Sequence, residues 1–236
     1  MDIDKLKGFF ITGTDTGIGK THFCRDLADV LSKTIKVTYV KPVQTGCVRN
    51  EQGELTAPDF DIMLQGPIQF TGSYHSHVPY QFEPACSPHL AAKLDKKEIS
   101  FDHIAQCVHW VGNENGTRVK WVLVEGAGGV LTPLSAATSM LDLMVHLKLP
   151  VVLVTSPKLG TLNHTFLSIN AIRQRALPLA GVVMNNHSDA AEDFIYKDNA
   201  ETIREAIGPI PFLVIPFNNR PDCLKEFCHG LTKRFS

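Results

Sequence analysis

Ile11-Thr12-Gly13-Thr14-Asp15-Thr16-Gly17-Ile18-Gly19-Lys20-Thr21 continues an apolar run that begins at Gly8 and closes on Gly-Lys-Thr. An apolar strand that passes through such a stretch into a helix reads as a phosphate-binding loop. Backbone N–H groups turn inward around an anion only where side chains are small, and glycines at 13, 17 and 19 permit that curvature. Lys20 supplies a compact positive charge for the outer phosphates. The Thr21 hydroxyl suits Mg²⁺, and the helix that follows aims the positive end of its dipole at the same anion. The spacing departs from the usual motif: seven positions separate Gly13 from Lys20, and Thr14 stands where a glycine is customary. Thr16, Gly17, Ile18, Gly19, Lys20, Thr21 and His22 are therefore the expected wrap around the phosphates of a nucleotide.

Outward from this loop, short apolar runs alternate with longer segments of helical period. Residues 8–12, 37–40, 121–124, 151–155, 181–184 and 212–215 read as strands buried on both faces, and 22–32, 101–112, 139–147, 162–176 and 193–207 as helices. Such alternation predicts an α/β fold: a single domain over residues 1–236, with a mostly parallel sheet flanked by helices on both faces. The region from about Cys47 to His89 breaks the pattern. It is rich in Pro, His, Gln and aromatics, lacks clear strand period, and is expected to be irregular and functional.

Composition narrows the class of function. The 236 residues carry 23 Lys and Arg against 24 Asp and Glu, a net charge of −1 that gives no global reason to expect nucleic acid or an anionic membrane as partner. Six cysteines show no Cys-x-x-Cys pair and no metal-ligand spacing, the pattern of reduced thiols. No apolar run approaches the ~20 residues of a membrane helix, and the first residues lack the apolar core of a signal peptide, so a cytoplasmic protein is expected.

In a parallel sheet the residues that follow each strand emerge at one edge, where ligands bind. Here they are the phosphate loop, Lys41-Pro42, Glu125-Gly126-Ala127-Gly128-Gly129, Ser156-Pro157-Lys158 and Asn185-Asn186. A carboxylate that ends a buried strand beside a phosphate loop is placed to bind Mg²⁺, and the glycines after Glu125, Gly128 among them, admit close approach of backbone or ligand.

Five ordered segments extend the pattern: 13–21, Val40-Lys-Pro-Val-Gln-Thr-Gly46, Pro84-Ala-Cys-Ser-Pro-His89, Val122-Leu-Val-Glu-Gly-Ala-Gly-Gly129 and Lys158-Leu-Gly-Thr-Leu-Asn-His164. With them the chain resembles the dethiobiotin synthetases from about Phe9 to about Pro216. That resemblance implies ATP as co-substrate and Mg²⁺ as cofactor. It implies the closure of 7,8-diaminononanoate and CO₂ into the cyclic urea dethiobiotin, through a carbamate that ATP phosphorylates. It further implies Lys20 and Lys41 as the charges at the reacting phosphate, with Thr45 hydrogen-bonded to substrate. Ser87 and Pro88 fall in a substrate segment, although Pro at a helix start is equally a structural feature. Asn185 and Pro216 fall where the base is contacted, with Phe217–Arg220 as further candidates. Besides Thr21 and Glu125, the metal carboxylate is Asp59 or Asp61, the leucine register favouring Asp59. Gly160, Thr161, Leu162 and Asn163 would bind the distal carboxylate of the diamine across the interface of a homodimer.

Two other readings share the loop. A partitioning or septum-positioning ATPase would carry a signature lysine five positions before Lys20, where Asp15 stands, and an amphipathic C-terminal membrane helix, which residues 224–235 look too short and mixed to form. An amidotransferase acting on a corrin would need a glutaminase domain, for which the chain is too short. Elsewhere, His75-Ser-His77 reads as a solvated pair without a third ligand. Phe101, Trp110 and Trp121 read as core or interface residues, and Cys24 and Cys107 as inert.

Overall fold

The computed structural model describes residues 6–70, 72–113, 121–186, 193–217 and 223–235. In chain order, β1 (Gly8–Gly13), α1 (Lys20–Leu31), β2 (Val37–Val40), β3 (Val43–Thr45), β4 (Val48–Arg49) and β5 (Leu55–Thr56) lead into α2 (Pro58–Leu64) and α3 (Tyr74–His77). Next come β6 (Tyr80–Phe82), α4 (Pro88–Leu94), α5 (Phe101–Asn113), β7 (Trp121–Glu125), α6 (Met140–Leu147) and β8 (Val151–Thr155). The chain ends through α7 (Thr161–Gln174), β9 (Leu179–Asn185), α8 (Phe194–Ile207), β10 (Phe212–Ile215) and α9 (Cys223–Phe235).

The six strands read from sequence form one parallel sheet in the order β10-β9-β8-β1-β7-β2. Alternate residues of each strand enter opposite core layers. Phe10, Val122, Val124, Val151 and Leu153 pack on the side of α4 to α8, while Phe9, Ile11, Trp121, Leu123, Val152 and Val154 pack against α1, α2 and α9. Both faces are thus dry, which is why the strands read as unbroken apolar runs rather than alternating ones. Register carries this alternation to the end of the sheet: Ile11 pairs with Glu125 and Tyr39 with Leu123. Tyr39 and Glu125 therefore share the α1 face.

Boundaries differ from the sequence reading where backbone chemistry intervenes. The helix expected from residue 22 begins at Lys20, because Gly19, at φ 83°, already turns the chain into it. The strand expected at 181–184 runs from Leu179 to Asn185, since a register shift between Val151 and Val152 lets Leu179 pair ahead of the regular ladder. The irregular segment contains more order than its composition announces. β4 and β5 form a hairpin around Asn50, whose side-chain oxygen accepts the N–H groups of Gln52 and Glu54. β3 and β6 pair in a separate parallel ribbon, three residues each and too short for a period to be read.

One expectation is corrected. His77 is not solvated: it is fully buried, its Nδ1 lies 2.6 Å from the Tyr39 carbonyl oxygen, and its ring stacks on both Phe60 and Phe70. Residues 224–235 belong to α9, where Leu224, Phe227, Cys228 and Leu231 turn into the core against the sheet. Trp121 stacks on Phe9 in that core, whereas Trp110 stays part exposed over Gly72. Among the described residues no helix is long and apolar enough to cross a membrane.

Close approach of β1 and β7 sets the position of the phosphate loop, and Gly8 allows it. A Cβ at that position would overlap the Val122 carbonyl oxygen. Gly8→Ala is expected to cost about 1–3 kcal/mol, the scale of overpacking a tight interior. Urea unfolding should show a lower midpoint with an unchanged slope.

Candidate active site

The carboxyl ends of β1, β2, β7 and β9 open onto a cavity of about 740 Å³. Thr16, Gly17, Gly19, Lys20, Thr21 and His22 line it from the phosphate loop and α1, and Lys41, Thr45, Asp59, Glu125, Gly128, Asn185 and Pro216 line it from elsewhere. Phe217, a base candidate from the sequence, also faces it, as do Gln44 and Asn186, to which sequence reasoning had given no role. The two amides were in plain sight, one inside the Val40–Gly46 segment and one in the Asn185-Asn186 doublet. Residues 218–220, grouped with Phe217 as base contacts, lie outside the described residues.

Loop geometry follows from its glycines. Gly17 (φ 67°) and Gly19 (φ 83°) take the left-handed conformation that side chains disfavour, and no side chain caps α1, so its first N–H groups face the cavity side of the loop. Lys20 Nζ bends back to donate to the Asp15 carbonyl oxygen at 2.8 Å. Burial, reinforced by the Lys41 charge, pulls the Lys20 ammonium down to about 8, the response of a cation held without a carboxylate partner. Ile18 is buried and contributes its backbone, its carbonyl oxygen accepting from Asn185 Nδ2 at 3.0 Å.

Facing the loop is a compact ionic cluster. Lys41 Nζ lies 2.6 Å from Asp59 Oδ2 and 2.7 Å from Glu125 Oε1. Glu125 Oε1 also accepts from the Thr21 hydroxyl at 2.9 Å, and Glu125 Oε2 from the Tyr39 hydroxyl at 2.8 Å. Burial alone would lower the Lys41 ammonium, but the two carboxylates more than reverse this and hold it above the ordinary lysine value. Burial likewise opposes the charge of Asp59, and Lys41, with Lys20 and Thr21, overcomes it and keeps the carboxyl below its usual range. Of the two aspartates left open by the sequence, Asp59 reaches the cluster. Asp61 turns away and accepts from the Tyr74 hydroxyl at 3.0 Å.

The remaining expected residues lie outside this cavity. Ser87 and Pro88 open α4, as their helix-start reading requires. Gly160, at φ 93°, caps α7, and Thr161 is buried, its hydroxyl 2.9 Å from that of Thr155. Leu162 and Asn163 begin the same helix on a surface beside a second, shallower hollow of about 400 Å³ between Thr14–Thr16 and His164, Leu167 and Ser168.

Such an arrangement offers the uncapped backbone amides of a loop to an anion and gathers two lysines and two carboxylates in the same cavity. The chain matches the AAA domain family over residues 7–220. Among solved structures, a plasmid partition protein from Borrelia burgdorferi shares the fold at a TM-score of 0.57 and 12% identity, each chain covered to 98%. HypB from Helicobacter pylori, solved in complex with nickel, does so at 0.54 and 15%, with 98% of this chain and 87% of that one covered. Sequence likeness is closer elsewhere. The ATP-dependent dethiobiotin synthetase of Aeromonas salmonicida is 36% identical over 220 residues, 92% of this chain and 93% of its own. That of Anoxybacillus flavithermus is 37% identical over 216 residues (88% and 93%), and that of Bacillus subtilis 33% over 210 (88% and 86%). With that identity spread over nearly the whole chain, and the phosphate loop facing Lys41, Asp59 and Glu125 across one cavity, the chain belongs to the ATP-dependent dethiobiotin synthetase family.

Proposed function

We propose that this protein joins CO₂ to 7,8-diaminononanoate and closes the ring to dethiobiotin, consuming one ATP, and that Lys41 carries the chemistry. The observation behind this reading is a lysine buried to 3% exposure, fixed as a cation by Glu125 and Asp59, opposite a phosphate loop with its own lysine. One substrate amine attacks CO₂ to give a carbamate. The carbamate oxygen takes the γ-phosphoryl group and ADP leaves; the second amine then attacks the carbonyl carbon and expels phosphate. Every nucleophile in this sequence belongs to the substrate. The protein's task is to hold two anions together and neutralise them, as in other phosphoryl transfers. Lys20 faces the outer phosphates, Lys41 the carbamate and the transferring group, and Thr45 hydrogen-bonds the substrate.

Thr21, Asp59 and Glu125 would hold Mg²⁺, and their hard oxygen donors suit it. The cation, when bound, supplies the charge neutralisation that the phosphates require. Support for the site comes from the cluster itself, whose two carboxylates converge on a point already taken by an ammonium group. Asn185, Asn186 and Pro216 lie where a base would extend beyond the phosphates, and Gly128 borders the same cavity. A cytoplasmic location is part of the same proposal.

The same reading makes the enzyme a homodimer whose sites are each completed by the partner. The α7 amino end, with Gly160, Thr161, Leu162 and Asn163, is an anion-favouring terminus that does not open into its own chain's nucleotide cavity. Leu131, Leu159 and Leu167, large apolar side chains more than half exposed, lie near it in the loop after β7, before α7 and on α7. A closed two-fold pair would cover them.

ADP release is expected only when diamine and bicarbonate are both present, because the phosphoryl acceptor does not exist otherwise; mass spectrometry should find dethiobiotin. Hydrolysis indifferent to the diamine but raised by lipid or DNA would favour the partitioning class instead. Lys41→Gln should lower turnover on the order of a hundredfold, the scale of one preorganised electrostatic contact. It should also lower the melting temperature in metal-free buffer, since it strips the cation from two carboxylates, and Mg²⁺ should restore part of that loss. Asp59→Asn is expected to raise the Mg²⁺ requirement more than Asp61→Asn. Finally, mixing inactive Lys41→Gln and Gly160→Pro chains should restore activity after subunit exchange, and failure despite exchange would place the carboxylate contact within one chain.

A further inference from the structure

Tyr39 is a residue that the sequence motifs leave unremarked and the mechanism does not use. It sits at full burial as the penultimate residue of β2, two residues before Lys41, and it touches one acidic residue of the cluster and the chain neighbour of the other. Its hydroxyl donates to Glu125 Oε2 at 2.8 Å. Its ring lies parallel to that of Phe60 (6.1 Å, 6°), the neighbour of Asp59 in α2, and Phe60 in turn stacks on His77, whose Nδ1 meets the Tyr39 carbonyl oxygen at 2.6 Å. Side chain and backbone are thus gripped from three sides. Of the two oxygens of Glu125, one is committed inward to Tyr39, and only Oε1 faces Thr21 and Lys41.

We propose that Tyr39 is a positioning residue that makes Glu125 a one-oxygen ligand and so biases the site toward Mg²⁺ over Ca²⁺. This rests on the reading of Glu125 as a metal ligand. The chemistry is one of size and denticity. Mg²⁺ demands near-octahedral geometry from single oxygens, whereas Ca²⁺ takes six to eight oxygens and readily accepts both atoms of a carboxylate. Were the hydroxyl absent, Oε2 would lose its donor in a buried place, and Glu125 would be free to rotate and offer both oxygens. A phenylalanine at this position keeps the ring and its stack on Phe60 and deletes that single bond.

The test reads nucleotide affinity rather than turnover. A fluorescent ADP analogue is titrated into wild type, Tyr39→Phe, Glu125→Gln and the double variant, without metal and across Mg²⁺ and Ca²⁺ series. Tyr39→Phe should leave metal-free affinity unchanged, which also reports an intact loop. It should raise half-saturating Mg²⁺ about tenfold, the lower end for losing a group that holds a ligand, and shift half-saturating Ca²⁺ far less or downward. In the Glu125→Gln background the same change should add nothing, because the carboxylate it orients is gone. Equal shifts for both metals, no shift, or full additivity in the double variant would overturn the role of Tyr39 while leaving Glu125 a ligand. If Glu125→Gln itself left both metal series unchanged, the metal reading would fall, and this inference with it.

Discussion

Glu125 is a carboxylate at 1% exposure, and almost everything about the site follows from the need to satisfy it. An ionised group so buried is tolerated only when it is paired and hydrogen-bonded, and removal of one partner from such a pair costs about 3–5 kcal/mol. Its donors come from two places: Tyr39 and Lys41 from the end of β2 and the residue after it, and Thr21, with the Cys24 thiol beside it, from α1. All of them are remote from Glu125 in sequence. The carboxylate therefore ties the edge strand β2, its neighbour β7 and the helix that follows the phosphate loop into one geometry, and the parallel register of β2 with β7 brings the partners to the same face. Asp59 enters through Lys41, and with it α2 and the segment that precedes α3.

How far the chain discloses this depends on whether a feature is local or relational. The phosphate loop, Lys41 and Glu125 were legible because each stands at a strand end, and strands buried on both faces are marked by unbroken apolar runs. The competition between Asp59 and Asp61 was not, since both lie in the first turn of α2 and only packing tells them apart: Tyr74 reaches one and Lys41 the other. His77 was misread for a similar reason. A polar residue among polar residues looks solvated until Phe60 and Phe70 close over it. Tyr39 carried no signal at all, because a tyrosine in a strand is ordinary; its role exists only in the distance to Glu125.

The two lysines illustrate how one cavity prepares for different partners. Lys41 has its counter-charges already, supplied by the protein, and burial strengthens their hold on it. Lys20 is equally buried but leans on a backbone carbonyl, so its ammonium is depressed toward about 8. An anion at the loop reverses that depression, since a nearby opposite charge favours the protonated form. A phosphate at the loop would therefore give Lys20 the counter-charge that Lys41 already has. Lys41 gains nothing comparable from phosphate alone. Its carboxylates must first find another cation, and for this reason the metal reading and the catalytic reading of this site are linked.

That linkage also explains why fold alone says so little about function here. A partition protein and a nickel-bound HypB share the sheet and its topology at 12–15% identity, and a phosphate loop at the end of β1 is common to many uses. In this chain, what stands across the cavity is a particular set of charges. A lysine fixed between two carboxylates, a short ribbon that brings Thr45 to the rim, and a strand-end tyrosine that immobilises Glu125 together make a dry, pre-charged wall. It matters where a second anion must be held against the γ-phosphate long enough to react, because electrostatic stabilisation works best when the charges need not move as the reaction proceeds.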